Sequence, residues 1–87
     1  MESGERQGLQ VEQRVDPDSN PLPNAFIWQG TRWEVNSVGR AWDSDGERHY
    51  LVMAQGDRVF ELAYSAATGD WSLVRRPEDF GPPPEAI

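Results

Sequence analysis

The sequence has no cysteine, no lysine and a single histidine. Without cysteine there is no disulfide framework, no thiolate nucleophile and no thiolate metal site. All eight basic residues are arginine, a bias we read as codon usage in a high-GC genome. No apolar run approaches the roughly 18 residues of a membrane span. The N-terminus lacks a basic stretch followed by an apolar one, so no signal peptide is expected, and the expected location is cytoplasmic. There is no phosphate-cradling glycine loop, paired-carboxylate motif or Ser-His-Asp arrangement. No segment of two helical turns carries a 3.6-residue apolar period. No catalytic residue, cofactor or metal site is expected.

What is present is aromatic and acidic. Eight of the nine aromatic residues fall between Phe26 and Trp71. The net charge of −7 is unevenly placed. Residues 1–23 carry five acids and two arginines, residues 24–76 seven acids and six arginines, and residues 77–87 three acids and no base. The acidity lies in the two ends around a near-neutral middle. That balance opposes non-specific binding to nucleic acid or anionic lipid. A chain of 87 residues makes one domain at most.

The middle reads as successive short strands. Residues 1–8 are polar and aperiodic and are expected to be disordered. Leu9, Val11 and Val15 mark a weak strand over 9–15. Residues 16–24 hold three prolines and are expected to be a loop, because proline cannot sit in a central strand. Residues 25–28 and 31–35 flank Gln29-Gly30, a hairpin signal. A bulge near Asn36-Ser37 would carry the strand on and place Val38, Arg40 and Trp42 on one side. Residues 43–47 form a turn. Residues 48–54 and 58–64 flank Gln55-Gly56-Asp57, a second hairpin. Residues 65–70 form a loop before a last strand at 71–75. Residues 77–87, with Pro77 and Pro82-Pro83-Pro84, are expected to be an extended or disordered acidic tail. The fold class is therefore all-β: one domain over 9–76, a twisted antiparallel meander of five to six strands, partly closed, as an SH3-like barrel or similar.

Several residues invite a chemical reading. His49 would need a nucleophile and an orienting acid to act as a general base, and nothing in the sequence assigns either, so it reads as an ordinary strand histidine. Asp43, Asp45 and Glu47, and Asp16, Asp18 and Asn20, have the alternate spacing of calcium-loop ligands. Gly46 and Pro21 stand where that loop does not allow them, so both read as turn formers. Trp28, Trp33, Trp42 and Trp71 are expected mainly in the core. A tryptophan near an edge, with Arg40, Arg48 or Arg58 beside it, would make a stacking platform. The candidate binding surface is therefore Trp28, Trp33, Trp42, Arg40, Arg48 and Arg58.

The pattern Phe26-x-Trp28-x-Gly30-x-x-Trp33-x-Val35-x-x-Val38-x-x-x-Trp42 resembles the core of a family of small uncharacterised bacterial all-β domains. Tyr50-x-Val52, Val59-Phe60-Glu61-Leu62-x-Tyr64 and Gly69-Asp70-Trp71-x-Leu73-x-Arg75 extend the likeness across about residues 9–76. Trp33 stands where that family usually has tyrosine, and the acidic ends are longer. The resemblance carries over no catalytic residue. Some members are encoded near error-prone DNA polymerases, which implies a DNA-repair accessory role.

Three functions compete. The first is a non-enzymatic interaction module that uses a sheet edge or exposed aromatic face to bind a protein partner or a second copy. The second is a nucleic-acid accessory domain that uses the tryptophan and arginine surface. The third is a small-ligand binder or enzyme.

Overall fold

The computed structural model describes residues 7–80. The strands are β1 (Gln7–Val15), β2 (Pro21–Trp28), β3 (Thr31–Ser44), β4 (Glu47–Ala54), β5 (Arg58–Ser65) and β6 (Asp70–Arg75). They pair antiparallel in chain order, and β6 returns to β1, so the meander closes into a small barrel of the SH3-like kind. Among the described residues no helix is long and apolar enough to cross a membrane.

Closure rests on β1. Its first residues, Gln7–Leu9, pair with β6. From Gln10 to Val15 it pairs with β2 instead. Two hairpins use two-residue turns in which both positions have positive φ, 53° and 74° at Gln29-Gly30 and 53° and 79° at Asp45-Gly46. Such turns match the right-handed twist of the strands they join. The second is tighter than the five-residue turn expected over 43–47, because β3 runs on to Ser44 and β4 starts at Glu47.

The loop expected over 16–24 ends at Asn20. Asp16 organises it, accepting backbone hydrogen bonds from Asp18 and Asn20 at 2.8 Å each. Pro21–Asn24 belong to β2 and run along β1. The prolines are tolerated because β2 pairs with β3 only from Ala25 to Trp28, so no ladder on that side demands their missing N–H groups.

β3 carries two register breaks against β4, at Asn36 and at Gly39. The first is the expected bulge. The second was not expected, and it overturns the placement of three side chains. Val38 lies opposite Val52, whose side chain is buried in the core. Each inserted residue reverses the inside–outside alternation. Beyond Gly39, Arg40 therefore lies opposite Leu51 and Trp42 opposite His49, on the outer face. Val38 does not share a side with Arg40 and Trp42.

The core is aromatic. Phe26, Trp28, Tyr50, Val52, Ala54, Phe60, Leu62, Trp71 and Leu73 form its buried cluster. Phe60 is its hub, with ring centroids 4.9 Å from Phe26, 5.2 Å from Trp28 and 5.3 Å from Trp33, all edge-on. Edge-on geometry lets the positive ring edge meet the negative ring face, adding roughly 0.5–1.5 kcal/mol per pair to the burial itself.

The extended tail expected from Pro77 is corrected over its first residues. Pro77–Phe80 make a 3-10 turn. Arg76 holds it by donating to both carboxylate oxygens of Asp79 at 3.0 and 3.1 Å. Phe80 comes to rest under Arg75, whose guanidinium is 4.3 Å from the ring centroid. Of residues 1–8, expected to be disordered, Gln7 and Gly8 instead belong to β1, where pairing with β6 orders them, and the expectations for residues 1–6 and 81–87 lie outside the described residues.

Candidate functional site

Strand register determines what the outer face of β3–β6 displays. Because Tyr50, Val52 and Ala54 point inward, His49, Leu51 and Met53 point outward. Reading across the strands gives four rows: Ser37, Met53, Val59; then Arg40, Leu51, Glu61, Arg75; then Trp42, His49, Ala63, Ser72; then Ser44, Glu47, Ser65, Asp70. Met53 and Val59 of the first row and Leu51 of the second are apolar. Ser37, Gly39, Leu51, Val52, Met53 and Val59 line a shallow hollow of about 90 Å³ there. Met53 is 38% exposed.

The centre of this face holds a buried polar chain. His49 Nδ1–H donates to Glu61 Oε2 at 2.8 Å, and Arg75 Nε donates to Glu61 Oε1 at 2.6 Å. Glu61 and His49 are only 5% and 7% exposed. The indole of Trp42 stacks on the His49 ring at 5.4 Å and 15°. Arg40 lies 5.5 Å over Trp42. Phe80, Arg75, Glu61, His49, Trp42 and Arg40 thus form one continuous line of rings and charges.

His49 is therefore not an ordinary exposed strand histidine, and Glu61 supplies the orienting acid that the sequence did not assign. Its other ring nitrogen, Nε2, faces Glu47 Oε1 at 3.4 Å. Both nitrogens meet carboxylates beneath an indole, so the arrangement holds the ring in place and offers no open nitrogen to a substrate.

The six residues of the candidate binding surface do not converge. Trp28 is buried at 5% exposure, which removes it from any surface. Trp33 is half-buried at one end of the barrel, donating its indole N–H to the Trp28 carbonyl at 3.3 Å, with Arg58 5.7 Å over its ring. Arg48 lies at the opposite end, 3.2 Å from Asp43 and 5.7 Å over Tyr50. Only Arg40 and Trp42 share the outer face. Asp43, Arg48, Asn20, Pro21, Glu47 and Tyr64 line a wide depression of about 390 Å³ at the Arg48 end. Arg48 Nε is buried there with no hydrogen-bond partner among the described residues. Beneath it the Tyr50 hydroxyl donates to the Pro21 carbonyl, and burial raises its pKa above the usual tyrosine value.

Elsewhere one exposed arginine ties β3 to β1. Arg32 bridges Glu12 and Glu34 at 2.8 and 3.0 Å, and its hydrogen bond holds the Glu12 carboxyl below its usual value. Arg40 and Arg58 have no carboxylate partner among the described residues.

Comparison with family models, curated proteins and solved structures returns no match for this chain.

Proposed function

We propose that this chain is a non-enzymatic protein-interaction module that binds through β3 and the outer face beside it. One observation carries the reading. From Val35 to Ser44, β3 pairs with β4 alone among the described residues, so its other edge is open. An open strand edge is a template for an added strand, because its main-chain donors and acceptors have nothing to pair with but water. The open edge lies next to the apolar Leu51, Met53 and Val59 of the outer face and the guanidinium of Arg40, which has no carboxylate partner among the described residues. The setting we propose is cytoplasmic and bacterial, in keeping with the resemblance to small bacterial β domains.

The test is capture from native bacterial lysate by the tagged chain and by a variant carrying Arg40→Glu and Met53→Glu. Both substitutions lie at exposed positions, so the fold is retained. A protein held by the native chain and released by the variant supports the reading. If nothing is held, and the chain sediments strictly as a monomer, the reading fails.

A second reading is a nucleic-acid accessory domain. It is favoured by the two arginine–indole pairs, Arg40 on Trp42 and Arg58 on Trp33, neither with a carboxylate partner among the described residues. The pairs lie on different parts of the barrel, and the net charge of −7 opposes a phosphate backbone. Anisotropy titration with labelled single- and double-stranded oligonucleotides at low salt decides it. No change at high micromolar protein removes the idea.

A further inference from the structure

Resting on the interaction reading, we infer that the open β3 edge pairs with the same edge of a second copy, antiparallel and centred on Trp42. Both bulges fall before Arg40. From Arg40 to Ser44 the strand keeps unbroken register with β4, opposite Leu51, Tyr50, His49, Arg48 and Glu47 in turn. This is the one stretch of the edge that a straight partner strand can follow. It contains no proline, which would remove a main-chain donor from the edge. Packing does not cover it, since Arg40, Ala41 and Asp43 are all exposed.

The side chains favour self-pairing over an unrelated strand. Antiparallel strands across a two-fold axis keep the same face of both copies on the same side. Opposed residues must then belong to the same face, and centring on Trp42 satisfies this. Trp42 meets Trp42 of the second copy, and Arg40 meets Ser44. On the outer face, Ser44 is flanked on β4 by Glu47. The run is basic where it begins and has acid beside it where it ends. An antiparallel copy therefore places each guanidinium beside the other copy's carboxylate-bearing row. Each Arg40, which has no carboxylate partner among the described residues, comes to lie in one row with the other copy's Ser44 and Glu47, and it also lies diagonal to the second indole, within cation–π reach. The Trp42 indole N–H, which donates to no acceptor among the described residues, comes to lie at the seam.

The pairing is weak by construction. A five-residue edge buries well under the roughly 1,200 Å² of a stable complex, and each copy carries −7. The dimer belongs in the high-micromolar to millimolar range, so it serves to raise avidity for a second partner rather than as a permanent assembly.

Sedimentation equilibrium of the full chain, from 10 µM to 1 mM, tests it together with amide hydrogen exchange at both extremes. The expected result is a mass rising from 9.8 kDa toward twice that value, with exchange at Arg40–Ser44 slowed at least threefold at high concentration and nowhere else to that extent. Arg40→Glu, an exposed substitution, weakens the association at least tenfold, whereas Arg40→Lys weakens it less. A constant monomer mass to 1 mM, or slowed exchange confined to another strand, overturns self-pairing. Because lysate capture is scored on a different protein, it can succeed where self-pairing fails, so the two readings fall separately.

Discussion

Glu61→Gln isolates the polar line across the outer face. The native carboxylate accepts from Arg75 at 2.6 Å and from His49 at 2.8 Å. A glutamine amide has one acceptor oxygen and one donor nitrogen, so it can satisfy only one of these two N–H groups. The His49 side chain is 9% exposed and cannot turn to water, whereas that of Arg75 is 43% exposed and can. Glutamine therefore keeps His49 and releases Arg75. A hydrogen bond to a charged group contributes roughly 1.5–3 kcal/mol. Solvent access at Arg75 puts the loss at the bottom of that range, about 1.5 kcal/mol. For a domain this small, each kcal/mol moves the melting midpoint by about 4–8 °C, so a fall of about 6–12 °C is expected. Glu61→Leu strands His49 as well and should cost about 3 kcal/mol. Urea unfolding followed by tryptophan emission measures both, with an unchanged denaturant slope showing that the unfolded state is unaffected. If glutamine lies within 0.5 kcal/mol of the native chain, or leucine proves more stable than glutamine, the carboxylate is not clamped as described.

Tyr50→Phe removes the hydroxyl that donates to Pro21 and should lower stability by about 1 kcal/mol. Burial raises the Tyr50 pKa, so its contribution is complete below the unfolded tyrosine value near 10. It is lost as pH climbs through the folded value. Alkaline unfolding curves should therefore flatten in the phenylalanine variant, and parallel curves would refute the assignment. The Asp79 carboxyl, held by hydrogen bonds from Arg76, should titrate at about 2 by NMR. Its support for the C-terminal turn is present above the usual aspartate pKa and disappears as pH falls through about 2. Arg76→Gln should return Asp79 to the ordinary range, and an unmoved titration would refute the pairing. Gly46→Ala adds a methyl group to open space but keeps φ at 79°. Its cost of about 1–2 kcal/mol is then backbone strain alone, and a neutral result by thermal melting would contradict the turn geometry.

Much of the barrel was legible because its punctuation is local. Gln29-Gly30 and Gln55-Gly56-Asp57 mark their hairpins outright, and Asn36 marks the first bulge through the odd spacing of Val35 and Val38. Gly39 escaped notice because a glycine of negative φ has no local signature. Its effect appears only in the pairing with β4, where it turns Arg40 and Trp42 outward. The prolines of β2 misled for the opposite reason. Proline forbids a central strand, but here the far side of β2 asks nothing of its N–H groups. The His49–Glu61–Arg75 chain was within reach. A three-residue turn at Gln55–Asp57 sets Leu51 opposite Glu61 and His49 opposite Ala63, which brings the imidazole diagonal to the carboxylate. Arg75 could not be added in the same way, because the register break between Glu61 and Leu62 is invisible in the sequence. The openness of the β3 edge was equally hidden, since it results from where β2 turns away.

The pairing of Leu9 with Trp71 has a consequence for synthesis. β1 finds its second neighbour only in β6, after the four intervening strands have been made. The hairpins of β2 through β5 can zip locally as they emerge, but the seam that seals the ring has to wait. Throughout that interval the nascent chain holds an unsealed sheet with its indoles partly uncovered, so the need for protection from aggregation should last until β6 has emerged.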